Sequence, residues 1–161
     1  MNPDLHTAEE RARAVVGVRE SRSLGTLSAD HAVAFARAAA VDEPRYLDPT
    51  RADFAVHPMY LLSMLRGHQG GVDDDYRPDG MFADEVPGTA GLDVRLMAGG
   101  QAIEFLAEPV VGETVDAVRN LDAVTVKGRT GSQFLLLETV KDYVSSGAGT
   151  LARVRETFIV R

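Results

Sequence analysis

Cysteine is absent from this chain of 161 residues, which excludes disulfides and thiolate metal sites alike. Positive charge is in short supply: 17 Lys and Arg stand against 24 Asp and Glu, a net charge of −7. A phosphate backbone is gripped by a basic face, so nucleic acid is not an expected partner. No apolar run approaches the roughly 18–20 residues that span a bilayer. The opening "MNPDLHTAEERARAVVG" scatters acids among its bases and holds no long apolar stretch. Neither a membrane segment nor a signal peptide is expected there, and the cytoplasm is the default location. Internal repeats and low-complexity tracts are lacking too. What is present is 45% hydrophobic and 25% charged residues, ordinary for a globular protein. The length suits a single domain over residues 1–161 with one core.

The two halves of the chain differ in texture. Residues 8–67 read mostly as helix. "TAEERARAVVG" (7–17) predicts a first helix stopped at Gly17. Ser28 is placed to cap "ADHAVAFARAAA", with Asp30 favourable in its first turn. "DPTRADFA" (48–55) offers Asp48 as a cap and Pro49 at the first helical position. Residues 57–67, "HPMYLLSMLRG", start a helix at Pro58 and end it at Gly67. Met59, Tyr60, Leu61, Leu62, Met64 and Leu65 leave only Ser63 and Arg66 polar, and a helix apolar nearly all round is buried. Residues 68–91 are rich in Gly, Asp and Pro and predict a long, mobile loop. The run Asp73–Asp75 lacks the spaced ligands and bidentate glutamate of a calcium loop, so a solvated loop is expected.

From residue 92 the pattern turns to strands: "DVRLMAGG", "QAIEFLAEPV", "ETVDAVRNLDAVTVK", "SQFLLLETVKDYV" and "TLARVRETFIVR", with "KGRTG" and "SSGAG" as turns. In the last, Ala152, Val154, Phe158 and Val160 share one face, while Arg153, Arg155 and Thr157 take the other. "FLLLETV" is apolar on both faces at its start, as in a strand covered on both sides. The simplest assembly is α+β: one buried helix wrapped by a long, curved antiparallel sheet of about five strands.

Five phrases in order, "FARAAAVDEPRYLDP", "VHPMYLLSMLR", "GGQAIEFLAEPVVGETV", "VKGRTGSQFLLLETVKDY" and "LARVRETFIVR", resemble the MaoC-like hot-dog proteins. These are (R)-specific enoyl-thioester hydratases and (3R)-hydroxyacyl-thioester dehydratases. The likeness is greatest to the N-terminal-domain branch, which includes the non-catalytic subunit of such dehydratases. It covers roughly residues 15–161 and implies a hot-dog fold with 57–67 as the central helix. The active relatives carry an aromatic, several residues, Ser-Gly-Asp, any residue, Asn-Pro, an aliphatic, His, any residue and Asp. Here Phe35, Pro44 and Asp48 keep their places and Glu43 stands for the asparagine. Val41 stands where the active aspartate would be, and Tyr46 where the active histidine would be.

Adding water to an enoyl thioester, or removing it from a 3-hydroxyacyl thioester, needs proton exchange at the α-carbon and at the oxygen. General acid–base help typically contributes ~10²–10⁴-fold when the group titrates near the working pH. Valine has nothing to titrate, and tyrosine has a reference pKa of about 10. The relatives also stabilise the thioester oxygen with a backbone N–H at the start of the central helix. Pro58 occupies that place, and proline has no N–H. The resemblance therefore implies a non-catalytic subunit that shapes the acyl chain's site in fatty acid metabolism. Its partner would be a MaoC-like chain supplying the Asp and His, and its ligand an acyl-CoA or acyl-carrier-protein thioester. No cofactor and no metal are implied.

Tyr46, His57, Met59, Leu62 and Met64 are the candidate substrate contacts, with 68–91 as a further wall. Each remaining candidate has a plainer structural reading. His57 suits a helix start satisfied by backbone, Tyr46 fills the space of a lost histidine, Asp48 caps, and Glu43 sits in a solvated turn. His6, His31 and His68 carry no assigned role. Two other functions fit the same residues: a homodimeric thioesterase or divergent dehydratase using Tyr46, His57 and Glu43, and an acyl-thioester or small-molecule binder without turnover. A dimer suits all three, because a lone sheet leaves an edge to cover.

Overall fold

The computed structural model describes residues 2–67 and 70–161. Helix α1 (Pro3–Ala14) opens the chain, with the Asn2 side chain accepting the Asp4 N–H at 3.1 Å and Pro3 at the first position. It lies upstream of the predicted 7–17, because Asn2-Pro3 caps better than Thr7. His6 is therefore within a helix, 3.4 Å from Glu10. Helix α2 (Ala29–Ala38) is capped by Ser28 as expected, the hydroxyl accepting the His31 N–H at 3.5 Å.

Five antiparallel strands form one sheet: β1 (Arg19–Thr26), β2 (Leu96–Phe105), β3 (Thr114–Lys127), β4 (Phe134–Ser145) and β5 (Gly149–Val160), in the order β1-β3-β4-β5-β2. The expected count holds with two of its members changed. Residues 93–100 and 101–110 supply a single strand, not two. The Gly99-Gly100 pair, which reads as a break, takes up a bulge against Thr157, where a Cβ on Gly99 would stand 3.1 Å from the Thr157 carbonyl oxygen. Bulges of this kind bend a strand without ending it. The missing member is β1, within a stretch that otherwise reads as helix. Its sequence RESRSLGT has one large apolar residue and no alternation, and pairing with β3 makes it a strand. In β5, Ala152, Val154, Phe158 and Val160 are buried together as predicted. In β4 only the inward row is fully buried. Leu135 and Leu137 face α1 in the core, while Phe134 and Leu136 are half-buried, so this strand is not covered on both sides.

The central helix is much shorter than 57–67. It is one α-turn, α3 (Tyr60–Ser63), continued by a 3-10 turn over Met64–Arg66 and ended by Gly67 at φ 73°. Pro58 removes a donor, and the Ser63 hydroxyl donates to the Tyr60 carbonyl at 2.7 Å, competing with the helical ladder. Residues 48–55 form turns, not a helix. The Asp48 carboxylate accepts from the Thr50 N–H at 2.9 Å and its hydroxyl at 2.7 Å, and the Ala55 N–H returns to the Arg45 carbonyl. That local bonding folds the chain back. Within 70–91 a 3-10 turn spans Asp73–Asp75 and a lone bridge joins Tyr76 to Phe82.

With α3 so short, the concave face of the sheet is covered in two pieces. Helix α1 lays Leu5, Ala8 and Ala12 over Leu121, Leu135, Leu137, Phe158 and Val160. Leu27 before α2, Ala32 of α2, Val56 and the α3 turn cover Val115, Ala117, Tyr143, Leu151 and Val154. Between the two cores runs a charged seam. The Lys141 ammonium, its side chain 5% exposed, lies 3.4 Å from Glu85 and 3.2 Å from Glu156. Arg66 holds Asp84 at 2.6 Å and Glu85 at 3.2 Å while stacking over the Phe82 ring at 3.6 Å. Arg119 donates to the carbonyls of Asp84 and Glu85 and pairs with Glu20 at 2.7 Å. Buried charges survive only when paired, and this network satisfies that rule through one short stretch, 82–85.

Candidate functional site

The stretch Val41–Tyr60 is built by helix endings and turns. Helix α2 terminates with Ala40 in the left-handed region at φ 54°. The Ala40 N–H reaches the Arg37 carbonyl at 3.1 Å and the Val41 N–H reaches the Ala36 carbonyl at 3.0 Å. This is a Schellman ending, in which an apolar residue follows the left-handed one. Val41 thus has a complete structural role. Pro44–Tyr46 then forms a 3-10 turn that delivers Tyr46 to His57, ring centroids 5.1 Å apart and edge-on. Beyond His57 come Phe35, 5.9 Å away, and Tyr60, 5.7 Å from Phe35. Four rings therefore lead from half-buried Tyr46 to Tyr60, whose hydroxyl pKa is pushed up by burial.

The start of α3 has no donor to spare. Pro58 lacks an N–H, the Met59 N–H donates to His57 Nδ1 at 3.3 Å, and the Tyr60 and Leu61 N–H groups return to the carbonyls of His57 and Pro58. His57 acts as the cap of this turn through Nδ1. A thioester oxygen placed here would meet a proline and a filled cap.

Other sequence candidates disperse. Glu43 is exposed and caps the 3-10 turn without a side-chain bond. Asp48 is exposed in its turn, and the Thr50 hydroxyl and N–H hold its carboxyl below the usual range. Met59 is exposed, Leu62 is half-buried and Met64 is buried in the second core, so the three do not share a wall. His68 lies outside the described residues. Among the described residues no group of His, Asp and Glu is arranged to hold a metal, and no helix is long and apolar enough to cross a membrane.

Beside Tyr46 opens a groove of 240 Å³ lined by Arg45, Val56, Pro58, Phe105, Leu106 and Pro109. A second hollow of 270 Å³ runs over Phe54, Val110 and Val111. Val56, Glu108 and Pro109 line both and divide them. Phe105 and Leu106 stay 43% and 49% exposed, an apolar lip at the end of β2. Arg45 stands at the mouth. Its guanidinium lies 5.0 Å over the Tyr46 ring and 3.4 Å from Glu108, while its Nε is buried without a hydrogen-bond partner. Arg45 and the lip were not singled out in the sequence. Arg45 adjoins Tyr46, but Phe105 and Leu106 are 60 residues away and arrive only through the sheet. A further hollow of 220 Å³ lies over the seam, where Arg22 and Arg66 pair with Asp84, Arg66 also with Glu85, and Arg119 with Glu20.

No protein-family model matches the sequence, and no curated protein matches it. Solved structures do. A MaoC-like dehydratase from Phytophthora capsici superimposes with TM-score 0.66 at 16% identity over 94% of this chain and 48% of that one, so this chain spans about half its length. The (R)-hydratase from A. caviae involved in PHA biosynthesis gives 0.56 at 22% identity, covering 89% and 94% of the two chains. The ChsH1-ChsH2 complex from Mycobacterium tuberculosis gives 0.64 at 13% identity, covering 97% and 90%. This chain shares the hot-dog fold of those proteins.

Proposed function

We propose that this chain is a non-catalytic subunit of an (R)-specific hydratase or dehydratase acting on CoA- or carrier-protein-bound acyl chains, and that a MaoC-like partner supplies the acid–base pair. The observation that carries this reading is the closed start of α3, where Pro58 has no N–H and His57 occupies the next one. Val41 and Tyr46 add to it, one ending a helix and the other stacked on His57. A two-chain assembly among the structural neighbours supports a partner.

The edges of the sheet favour one side for pairing. Both edge strands are bulged, near Gly25 in β1 and at Gly99 in β2, so charge tells them apart: β1 carries Arg19, Glu20 and Arg22 in eight residues. The opposite edge, β2, carries Glu104 alone among ten and exposes Met97 and Phe105. Charges blunt an edge, and their scarcity invites a strand. The partner therefore adds along β2, beside the groove. Purified alone, the chain leaves crotonyl-CoA unhydrated, as followed by its enoyl absorbance. Co-expressed with a MaoC-like chain carrying the Asp and His, it co-elutes and the pair turns over. Turnover by the isolated chain, lost in Tyr46→Phe or His57→Ala, defeats this reading. That outcome would favour the second one, a homodimeric enzyme built on the Tyr46–His57 contact.

A further inference from the structure

The hollow over the seam is lined by charge, unlike the groove beside Tyr46. We infer that it is a binding site for a doubly charged anion, a phosphate or phosphate monoester, whose place the Asp84 carboxylate takes in the free chain. Four cations line it, Arg22, Arg66, Arg119 and Lys141, against three carboxylates, Glu20, Asp84 and Glu85. The two signs sit at different depths. The side chains of Lys141, Arg66 and Arg119 are 5%, 14% and 23% exposed and form the floor, while those of Asp84 and Glu20 are 62% and 60% exposed at the rim.

Depth decides which partner can leave. An exposed carboxylate regains water when it turns away, and the pair it gives up is worth little. A cation on the floor has no such exit and must keep an anion beside it. Asp84 can turn without unfolding its neighbours, because the backbone there is held separately. Arg119 donates to the carbonyls of Asp84 and Glu85, and Val86 is buried in the core under α1. With Asp84 and Glu20 turned outward, the four cations face only Glu85 and Glu156, both held by Lys141. Two positive charges are then left over, which matches a dianion and not a single carboxylate. The donors suit phosphate as well. Arg66 grips Asp84 with both terminal nitrogens, at 3.2 and 2.6 Å, a two-pronged contact that phosphate oxygens reproduce. Its Nε is buried with no partner, so the guanidinium is not used in full. Arg22 stands at the rim, 3.9 Å from Asp84, where its long side chain reaches the same anion.

The test is calorimetric titration of the full chain with inorganic phosphate at mildly alkaline pH, the ionic strength held constant with chloride. Saturable binding is expected. Asp84→Asn, which removes the resident competitor, tightens it by about two- to fivefold. Affinity unchanged or weakened in that variant makes Asp84 merely structural and overturns the displacement; Glu20→Gln serves if Asp84→Asn does not fold. Arg22→Gln, at an exposed position, weakens phosphate by about tenfold, and equal affinity overturns the location of the site. No saturable phosphate binding by either the wild type or Asp84→Asn overturns the proposal as a whole. Coenzyme A and its 3′-dephospho form then separate the sources of the anion. Affinity that falls with loss of the 3′-phosphate identifies the monoester of the coenzyme, and no preference between the two leaves free phosphate as the ligand.

Discussion

The two cores beneath the sheet are made of similar residues but closed in different ways. The one under α1 is sealed by small residues at close range. Gly88, at φ 83°, passes so near Ala8 and Ala12 that a Cβ would stand 2.7 Å from the Ala12 N–H nitrogen. The one under α3 is sealed by aromatic rings that reach the surface at Tyr46 and end beside a groove. Close backbone packing leaves no room between α1 and the 86–89 stretch, whereas the file of rings ends in a half-buried face at Tyr46 beside a groove. The seam of Lys141, Glu85 and Glu156 ties the two together.

Cutting that tie has the largest expected effect. Lys141→Ala leaves two facing carboxylates without their cation and costs about 3–5 kcal/mol, read as a lower urea midpoint. Adding Glu85→Gln and Glu156→Gln to Lys141→Ala recovers part of the loss, which a simple packing role for Lys141 would not allow. Gly88→Ala forces both strain at positive φ and a clash with α1, about 2–3 kcal/mol together. Hydrogen exchange then speeds up in α1 while the Tyr46 end stays protected; equal loosening of both would mean that the cores are not separate. A third effect appears in alkali. Tyr143 ionises in the unfolded chain near pH 10 but is held neutral when folded, by burial first and then by Glu156 and Glu85. Its contribution is complete below the unfolded pKa and is lost as pH rises above it. The wild type therefore weakens above about pH 10, and Tyr143→Phe weakens less. The smallest change is a gain: Ala40→Gly relieves the left-handed turn after α2 and adds about 0.5–1 kcal/mol, seen as a melting point higher by about 2 °C.

How far the sequence could be read depends on where each element's order comes from. β5 and the capped α2 carry their own periodicity and cap, and both are legible. β1 has no pattern because β3 imposes its conformation, and the Gly99-Gly100 pair marks a bulge where it reads as a stop. The length of the central helix hid in the balance between an all-apolar run and a Ser63 hydroxyl aimed at its own backbone. At the site, Val41, Tyr46, His57 and Pro58 are legible because their positions follow a loop pattern along the chain. Arg45's place at the mouth of the groove and the Phe105–Leu106 lip are not, since they depend on which strand end reaches that loop. The seam was invisible, for Arg66, Glu85, Lys141 and Glu156 are far apart in sequence and each reads as a surface charge.

The unequal rims of the sheet also limit how many molecules can join. A strand that docks on β2 consumes the less charged rim, and what it leaves outward on this chain is β1, studded with Arg19, Glu20 and Arg22. Growth by edge addition therefore stops after one step. An asymmetry that favours one added strand disfavours a filament.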